Sequence, residues 1–407
     1  MLSAPKNILV VTYWSYKSAL IKTYPLPYVE LIRDKLPAGS RIFLMTLTPE
    51  AETHTEDYEA NKQALRTKHI ELVNFTYKPF GLGMGIKLTG ILWYLLRFIA
   101  REKIAVIHAW CTPGGAIGYI LSRLTGRPLV LDSFEPHAES MLETNTWKRN
   151  GMAYRLLFKL EKLQLKRASE VICAAPGMIA YSQHIYGITK PRYFVKPACV
   201  DLDLFNRKNT KALTIPELTP GSVVCVYAGK FGDIYLSGEV FDFFAAARTF
   251  WGDRFKVLLL TNQSDEEIRN FCEHSGLPVE TVIKKFVAHH EVPSWMALGS
   301  FGICPVKPVP TKKYCTPIKN GEYWAMGLPV VITRGISIDS AIIEEQEVGY
   351  VLKALNSDEY LKAVKVMDAL LKDPKLPGKI RMIAETQRNY SLANGIYATI
   401  YGQNFSG

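Results

Sequence analysis

The part of the sequence that most constrains the fold is residues 301–333, which read FGICPVKPVPTKKYCTPIKNGEYWAMGLPVVIT. The apolar run at its start predicts a buried strand, and a proline-rich loop follows that strand. From Ile318 the pattern predicts a helix, with Gly327 as a typical C-terminal cap, and residues 329–333 predict the next strand. Strand, loop, helix and strand form a βαβ unit, in which the N-terminus of the helix faces the ligand crevice at the carboxyl ends of the strands.

Charged residues cluster near the start of this predicted helix. Lys312, Lys313 and Lys319 add cations to a helix N-terminus whose free backbone N–H groups already favour an anion. Glu322 lies one turn inside the helix, where a carboxylate is better suited to accept hydrogen bonds from hydroxyl groups than to bind phosphate. A diphosphate that carries a sugar has both kinds of group. Two plainer interpretations stay open: the lysines are solvated surface charge, or Glu322 caps the helix or pairs with one of them.

Length and composition predict a globular protein of two domains. A chain of 407 residues is longer than a single hydrophobic core usually supports, and its 48% hydrophobic and 21% charged residues exclude a disordered chain. The seven cysteines are widely spaced and include no CxxC pair, so we expect neither a disulfide framework nor a zinc knuckle and favour a reducing cytoplasm. The N-terminal residues lead directly into a predicted strand, without the apolar segment of a signal peptide.

The positive charge lies mostly in the first half of the chain. Residues 1–190 contain 24 lysines and arginines against 15 acidic residues, which gives +9 of the total formal net charge of +11. This asymmetry favours an anionic partner such as a membrane surface or an acidic acceptor. The sequence contains no RNP-like, helix-turn-helix or zinc-finger pattern, so nucleic acid is the least favoured partner.

Residues 87–103, KLTGILWYLLRFIAREK, are the most apolar predicted helix. The helix is too short and too charged to span a bilayer, which leaves two interpretations. In one, the helix rests on a membrane surface with Trp93, Tyr94 and Arg97 near the headgroups. In the other, which we favour, the helix is buried between a sheet and solvent.

The segment TPIKNGEYWAMGLPVVIT, residues 316–333, resembles the donor-binding segment of retaining glycosyltransferases of the GT-B fold, family 4 in particular. The family pattern is a Glu, seven residues, a second Glu and then Ala-x-Gly-x-Pro-Val-Val. Glu322 matches the second Glu, which in the family binds the ribose hydroxyls of the nucleotide, whereas Tyr314 replaces the first Glu, a contact of the donor sugar. The resemblance implies an α/β fold of two Rossmann-like domains that face each other across a cleft.

Other segments of the second half resemble the same family. Gly229 and Lys230 match a Gly-Lys pair whose cation binds the donor diphosphate, whereas Ser237 replaces the family's second cation. Lys319 is the expected substitute for that second cation. The resemblance also implies nucleotide-sugar contacts at strand ends and at the predicted helix N-terminus, from Asn262, Val287, Thr316, Pro317 and Ile318.

In the first half, residues 128–137, PLVLDSFEPH, resemble the family's Asp-x-His-Glu segment, whose His reaches the donor sugar. Glu135 matches the Glu, but Phe134 occupies the His position. We expect His137 to substitute because it also follows the carboxyl end of a predicted strand; the alternative is a structural histidine. The resemblance therefore implies catalytic roles for His137, Glu135, Lys230 and Lys319.

Residues 193–205 resemble the linker between the two domains of the family. The resulting boundaries are 1–195 for an acceptor-binding domain, 196–388 for a donor-binding domain and 389–407 for a helix that returns to the first domain. The linker contains an Asp-Leu-Asp sequence that mimics the DxD metal motif of other glycosyltransferases. The GT-B fold has no such metal site, so we expect no metal.

The implied function is a metal-independent transfer of a sugar from a UDP- or GDP-linked donor to a glycan or lipid-linked acceptor, with retention of the anomeric configuration. We expect no further cofactor, and a cytoplasmic protein that is peripheral to the inner face of an anionic membrane. Two alternatives share the fold: a nucleotide-sugar epimerase or phosphorylase, and a non-catalytic scaffold that binds sugar or membrane and has lost part of the site.

Overall fold

A computed structural model describes residues 5–49, 56–77 and 82–402. The chain divides into two compact units, one formed by Met1–Lys196 with Ser391–Gly407 and the other by Pro197–Tyr390. Each unit is built on one parallel β-sheet, with helices between most successive strands. Helices on both faces bury such a sheet completely, which explains why its strands are almost continuously apolar.

The first unit has seven strands within its described residues: β1 (Asn7–Val11), β2 (Ile42–Pro49), β3 (Ile70–Tyr77), β4 (Ile104–Trp110), β5 (Leu129–Phe134), β6 (Glu170–Cys173) and β7 (Arg192–Val195). They form one sheet in the order β3-β2-β1-β4-β5-β6-β7, and every pair is parallel. In register, Leu9 of β1 lies between Phe43 of β2 and Ile107 of β4. The direction of winding reverses between β1 and β4.

The described helices of this unit are α1 (Ala19–Thr23), α2 (Pro25–Arg33), α3 (Glu56–Thr67), α4 (Leu82–Arg101), α5 (Cys111–Thr125), α6 (His137–Glu143), α7 (Met152–Arg167) and α8 (Gly177–Tyr186). Over the described ranges, no helix combines the length and the apolar character that crossing a membrane requires.

α4 is the helix for which the sequence left two interpretations. Its Ile91, Leu95 and Phe98 are buried, which confirms the favoured interpretation of a helix packed on the sheet. Trp93 and Tyr94 on the same helix are 57% and 42% exposed. The burial confirms only the favoured interpretation, and the membrane-surface interpretation stays a prediction.

The second unit repeats the same plan with a six-stranded sheet. Its strands are β8 (Val223–Ala228), β9 (Phe255–Leu260), β10 (Val282–Lys285), β11 (Phe301–Cys304), β12 (Val330–Thr333) and β13 (Gly349–Leu352). Its helices are α9 (Gly238–Trp251), α10 (Asp265–Ser275), α11 (Val292–Met296), α12 (Ile318–Ala325), α13 (Asp339–Glu345), α14 (Ser357–Leu370) and α15 (Leu376–Gln387). The parallel order is β10-β9-β8-β11-β12-β13, which again reverses in the middle of the sheet. The fold class predicted from the sequence, α/β with two Rossmann-like domains, is confirmed.

The last helix, α16 (Tyr390–Tyr401), belongs to the first unit from Ser391 onward. The hydroxyl of its Tyr397 donates a hydrogen bond to Asp132 Oδ2 at 2.6 Å. The hydroxyl of Tyr401 lies 2.6 Å from Nδ1 of His108. All four side chains are buried, so these polar contacts attach α16 to β4 and β5 inside the core.

The same core contains a buried ion pair. Lys196, directly after β7, and Asp132 are both 0% exposed, and Nζ lies 2.9 Å from Oδ1. The ammonium also lies 3.6 Å from the ring centroid of Tyr28 and 4.6 Å from that of Trp110. Burial alone would raise the pKa of Asp132, but the charge of Lys196 and hydrogen bonds from neighbours lower it below its usual value. The carboxylate is therefore held ionised in the core.

Candidate functional site

The second unit reverses its strand order between β8 and β11, which are neighbours. At such a point the connections that leave the two carboxyl ends diverge, and α/β sheets bind ligands in the crevice between them. Gly229 and Lys230 directly follow β8, and the loop after β11 leads to α12. The residues predicted to bind a diphosphate therefore flank this crevice.

α12 is held in place by its buried face. The hydroxyl of Tyr323 accepts a hydrogen bond from the backbone N–H of Ala228, the last residue of β8, at 3.2 Å. Asn320 donates to the buried carboxylate of Asp339 at 2.6 Å. Gly327 follows the helix with a φ of +68°, the left-handed conformation with which a glycine ends a helix, as predicted. These contacts place the start of α12 beside the end of β8.

The side chain of Lys319 reaches from the first turn of α12 to the loop after β8. Gly229 has a φ of +144°, and a Cβ built on it would lie 2.5 Å from Cε of Lys319. The backbone conformation therefore favours glycine here, and a Cβ at this position would displace the end of the Lys319 side chain. The loop after β8 and the first turn of α12, which the sequence predicts to bind one anion, are therefore in contact.

Aromatic rings hold the ammonium of Lys319. Nζ lies 3.9 Å from the ring centroid of Tyr235 and 5.5 Å from that of Tyr227. Tyr235 is itself fixed, because it forms an antiparallel bridge with Val306 of the loop after β11. Within the described ranges, Lys319 forms no ion pair, in contrast to the neighbouring Lys230. The cation is thus positioned by packing, and its charge is available to an anion.

The N-terminus of α12 adds backbone donors to this cation. Pro317 precedes the helix, and no side chain of the described residues caps it. The N–H groups of Ile318 and Lys319 have no acceptor within the helix, as in any first turn. Just before the helix, the hydroxyl of Thr316 lies 3.4 Å from that of Ser337. An anion here would meet N–H groups, the helix dipole and an ammonium together.

Glu322 lies one turn further along α12, and its side chain is 12% exposed. Its Oε1 is 3.6 Å from Nε2 of His289, which follows β10, and the ring centroid of His289 is 5.6 Å from that of Phe205. The partner of Glu322 is therefore a histidine and not one of the lysines considered from the sequence. Sequence reasoning missed His289, because it follows a different strand from the one that leads to α12 and no local pattern links it to Glu322.

Lys230 has a different environment from Lys319. Its Nζ forms an ion pair with Asp233 Oδ2 at 2.6 Å, and the two side chains are 58% and 71% exposed. The hydrogen bond and the charge of Lys230 lower the pKa of Asp233. A diphosphate would have to compete with Asp233 for this lysine, so the predicted role of Lys230 stays a prediction.

The other residues predicted from the second half lie at strand ends with less distinctive contacts. Asn262 is exposed just after β9, and Val287 is half-buried after β10. Lys312 is buried in a 3₁₀ helix, Pro310–Tyr314, and the ammonium of exposed Lys313 lies 5.0 Å from the ring centroid of Tyr314. In contrast to Lys312 and Lys313, Lys319 lies against Gly229 in the loop after β8.

In the first unit, Glu135 and His137 follow β5. His137 Nδ1 lies 3.5 Å from Glu135 Oε1, and both side chains are about one quarter exposed. The hydroxyl of Thr112, at the start of α5, donates to the backbone carbonyl of Glu135 at 2.7 Å and fixes the turn. Phe134 is fully buried and so cannot take the place of the family histidine in contacting a ligand. The structure therefore brings the two predicted catalytic residues of this unit together.

Glu161 of α7 supports the adjacent helix α6 and predicts a pH dependence. It accepts hydrogen bonds from the backbone N–H of Ala138 at 2.8 Å and from the hydroxyl of Tyr186 at 2.7 Å. Burial raises the pKa of Glu161 to about 7. A carboxyl group with a raised folded pKa stabilises the fold fully below its unfolded pKa of about 4.3 and loses that contribution as pH rises to its folded value.

We therefore expect Glu161 to lower the free energy of unfolding by about 3 kcal/mol as pH rises from about 4 to about 7. Glu161→Gln can still accept from the Ala138 N–H through its amide oxygen and can donate from its amide nitrogen to the Tyr186 hydroxyl, and it should remove this slope. Urea unfolding at several pH values measures it. Identical slopes in the parent chain and the variant would contradict the assignment.

The described residues contain no group of three or more His, Cys, Asp or Glu side chains arranged to hold a metal ion. Asp201, the first residue of the Asp-Leu-Asp sequence in the linker, has a structural role. Oδ1 of Asp201 accepts hydrogen bonds from the backbone N–H of Asp203 at 3.0 Å and of Leu204 at 2.9 Å. This carboxylate closes a turn.

Comparisons with known proteins bear on both units. Residues 37–199 match the family model of the glycosyl transferase 4-like domain. This range contains Glu135 and His137 and most of the first unit. Among curated proteins, none matches the chain significantly.

Solved structures match the chain over nearly its full length. A glycosyltransferase from Rickettsia africae ESF-5 has a TM-score of 0.70 and 11% identity, covering 98% of this chain and 98% of its own. Sucrose-phosphate synthase from Thermosynechococcus elongatus has a TM-score of 0.72 and 15% identity, with 98% of both chains covered. HepE from Anabaena, in complex with UDP, has a TM-score of 0.66 and 15% identity, covering 97% of this chain and 98% of its own. Residues 37–199 are thus similar to a glycosyl transferase 4-like domain, and the solved structures show that the whole chain has the fold of these proteins.

Proposed function

We propose that the chain transfers a sugar from a nucleotide-diphosphate sugar, UDP- or GDP-linked, to a glycan or lipid-linked acceptor. The observation that carries this proposal is the placement of Lys319 over Gly229, beside the uncapped start of α12 and one turn from Glu322. A diphosphate suits the cation and the N–H groups, and ribose hydroxyls suit the carboxylate. The UDP complex of HepE, which has the same fold, supports a uridine nucleotide as the first candidate.

In the proposed mechanism, charge builds on the departing diphosphate as the anomeric carbon–oxygen bond breaks. Lys319, Lys230 and the first N–H groups of α12 would stabilise this charge more strongly in the transition state than in the ground state. No metal is required for that stabilisation. We further propose that the anomeric configuration is retained and that the leaving phosphate accepts the proton of the acceptor hydroxyl, so no protein nucleophile takes part.

We assign nucleotide-sugar binding to the second unit and acceptor binding to the first. In the second unit, Asn262, Val287, Thr316 and Pro317 would complete the nucleotide-sugar contacts from the loops around Glu322. In the first unit, we propose catalytic roles for His137 and Glu135 in the loop after β5. The distance of 3.5 Å between Nδ1 of His137 and Oε1 of Glu135 suits a histidine that is oriented by a carboxylate.

The test of the nucleotide site is Glu322→Gln, which keeps the size of the side chain and removes its charge. Because hydrogen bonds to a charged acceptor contribute about 1.5–3 kcal/mol, we expect affinity for UDP or GDP to fall roughly 10- to 100-fold. Calorimetric titration of the folded chain measures this. Glu345→Gln, at an exposed glutamate of α13, is the matched control and should bind as the parent does.

An unchanged affinity combined with an altered melting temperature would show that Glu322 has only a structural role with His289. A chain that binds no nucleotide diphosphate would instead favour the non-catalytic scaffold. Assay of the bound nucleotide sugar distinguishes the remaining alternatives, because a transferase or its hydrolytic side reaction releases the nucleotide diphosphate and an epimerase does not.

We also propose peripheral attachment of the chain to an anionic membrane, with a cytoplasmic location. The support is the excess of positive charge in residues 1–190 and the exposed aromatic face of α4. On that face the guanidinium of Arg97 lies 3.4 Å from the ring centroid of Trp93. Such a pair suits an interface between water and lipid headgroups.

A further inference from the structure

α7 presents a basic face to solvent that the proposed reaction does not use. Residues 148–167 contain seven lysines and arginines and one acidic residue, Glu161, which is fully buried. The exposed side chains of α7 recur at helical spacing: Met152, Arg155, Leu156, Lys159, Lys162 and Lys166. At about 100° per residue they occupy an arc of about 120°. The face is therefore a continuous stripe along the helix.

The charges of this stripe are not neutralised inside the protein. In the part of the chain that the structure describes, its arginine and three lysines form no ion pair, whereas Arg149, just before the helix, pairs with Glu139. The two apolar members of the stripe are strongly exposed, Met152 at 86% and Leu156 at 52%. The opposite side of α7 is packed in the core through Tyr154, Gln164 and Leu165. Exposed apolar groups flanked by unpaired cations fit a partner that is both anionic and partly apolar.

We propose that this face of α7 binds the surface of a bilayer that contains anionic lipids. The helix is roughly 24 Å long and its exposed arc is convex, which suits a flat surface. Met152 and Leu156 would enter the headgroup region, while the long lysine stems let the ammonium groups reach lipid phosphates. The inference rests on the proposed membrane attachment and adds the face of α7 to that of α4 as a contact surface, and it is independent of the nucleotide site.

The experiment uses the full chain and vesicles of phosphatidylcholine, with or without phosphatidylglycerol, in a sedimentation assay at low salt. A lysine near an anionic surface contributes about a fivefold gain in binding, so Lys159→Gln/Lys166→Gln should weaken binding to the anionic vesicles roughly 30-fold. Lys190→Gln/Lys365→Gln is the matched control, because it makes the same change in net charge at exposed lysines outside α7. Met152→Ser/Leu156→Ser should also weaken binding, and its effect should persist when salt is raised.

Equal losses in the two double lysine variants would overturn the proposal, because binding would then depend on net charge alone. Equal binding to both kinds of vesicle, or none to either, would also overturn it. A third outcome would point to an acidic protein as the partner and overturn the proposal. In it, the parent would bind soluble polyglutamate but no vesicles, and the α7 variants would lose the binding to polyglutamate. UDP affinity, measured on the same variants, should stay at the parent value, so a failure of the nucleotide site is recognised separately.

Discussion

Asp132→Ala is expected to lower the free energy of unfolding by about 3–5 kcal/mol, because it leaves the buried ammonium of Lys196 without a counter-charge. The carboxylate also accepts a hydrogen bond from Tyr397, so the variant removes a contact of α16 as well. Urea unfolding of the full chain measures the loss. Hydrogen exchange in residues 391–401 should increase, since that helix is attached to the core through this cluster.

The matched control removes both charges. Asp132→Leu/Lys196→Met replaces the ion pair by apolar side chains, and we expect it to recover most of the stability that the single variant loses. Because the pair lowers the pKa of Asp132, its contribution is present above the unfolded pKa of about 3.9 and is lost as pH falls below that value. If the single variant were as stable as the parent, the buried ammonium of Lys196 would need no counter-charge, which would contradict this account.

Lys319→Ala is expected to lower the turnover of nucleotide-sugar cleavage about 100- to 1,000-fold, as removal of one preorganised donor to a developing anion typically does. Binding of the nucleotide diphosphate should weaken much less, because the leaving charge is greatest in the transition state. Release of UDP or GDP from a panel of nucleotide sugars measures turnover, and calorimetry measures binding.

Two further variants test whether the position of Lys319 produces this effect. Lys313→Ala removes an exposed cation of the same loop and should leave turnover within a few-fold of the parent. Gly229→Ala introduces a Cβ 2.5 Å from Cε of Lys319 and should reduce turnover by displacing the ammonium while its charge is kept. Equal losses in Lys313→Ala and Lys319→Ala would indicate a general electrostatic attraction and would remove the argument for a placed cation.

Much of the second unit could be predicted because its signals are local. Apolar runs of strand length, Pro317 before a helix and Gly327 after it predict β11, α12 and β12, and the structure has all three. The placement of Glu322 one turn inside the helix follows from the same pattern. Its contact with His289 does not, because that histidine follows a different strand and only the parallel order of the sheet brings the two together.

The three lysines near α12 show where sequence reasoning ends. In the sequence, Lys312, Lys313 and Lys319 are equivalent cations in one loop and helix start. In the structure Lys312 is buried and Lys313 is exposed beside Tyr314. Of the three, Lys319 alone approaches Gly229. The difference depends on which way each backbone segment turns and on the rings that pack around it, neither of which has a periodic signature.

The sequence by itself determined the fold class, because the βαβ pattern of residues 301–333 predicts a parallel sheet and the resemblance of residues 316–333 implies two Rossmann-like domains. It also determined the position of Gly229, Lys230 and Glu322 at strand ends and at a helix start. Only the tertiary structure decided that Lys196 and Asp132 form an ion pair inside the first unit and that Tyr235 holds the ammonium of Lys319. Such pairs join residues distant in the chain, and their energies depend on burial, which is a property of the packed core and not of any local stretch of sequence.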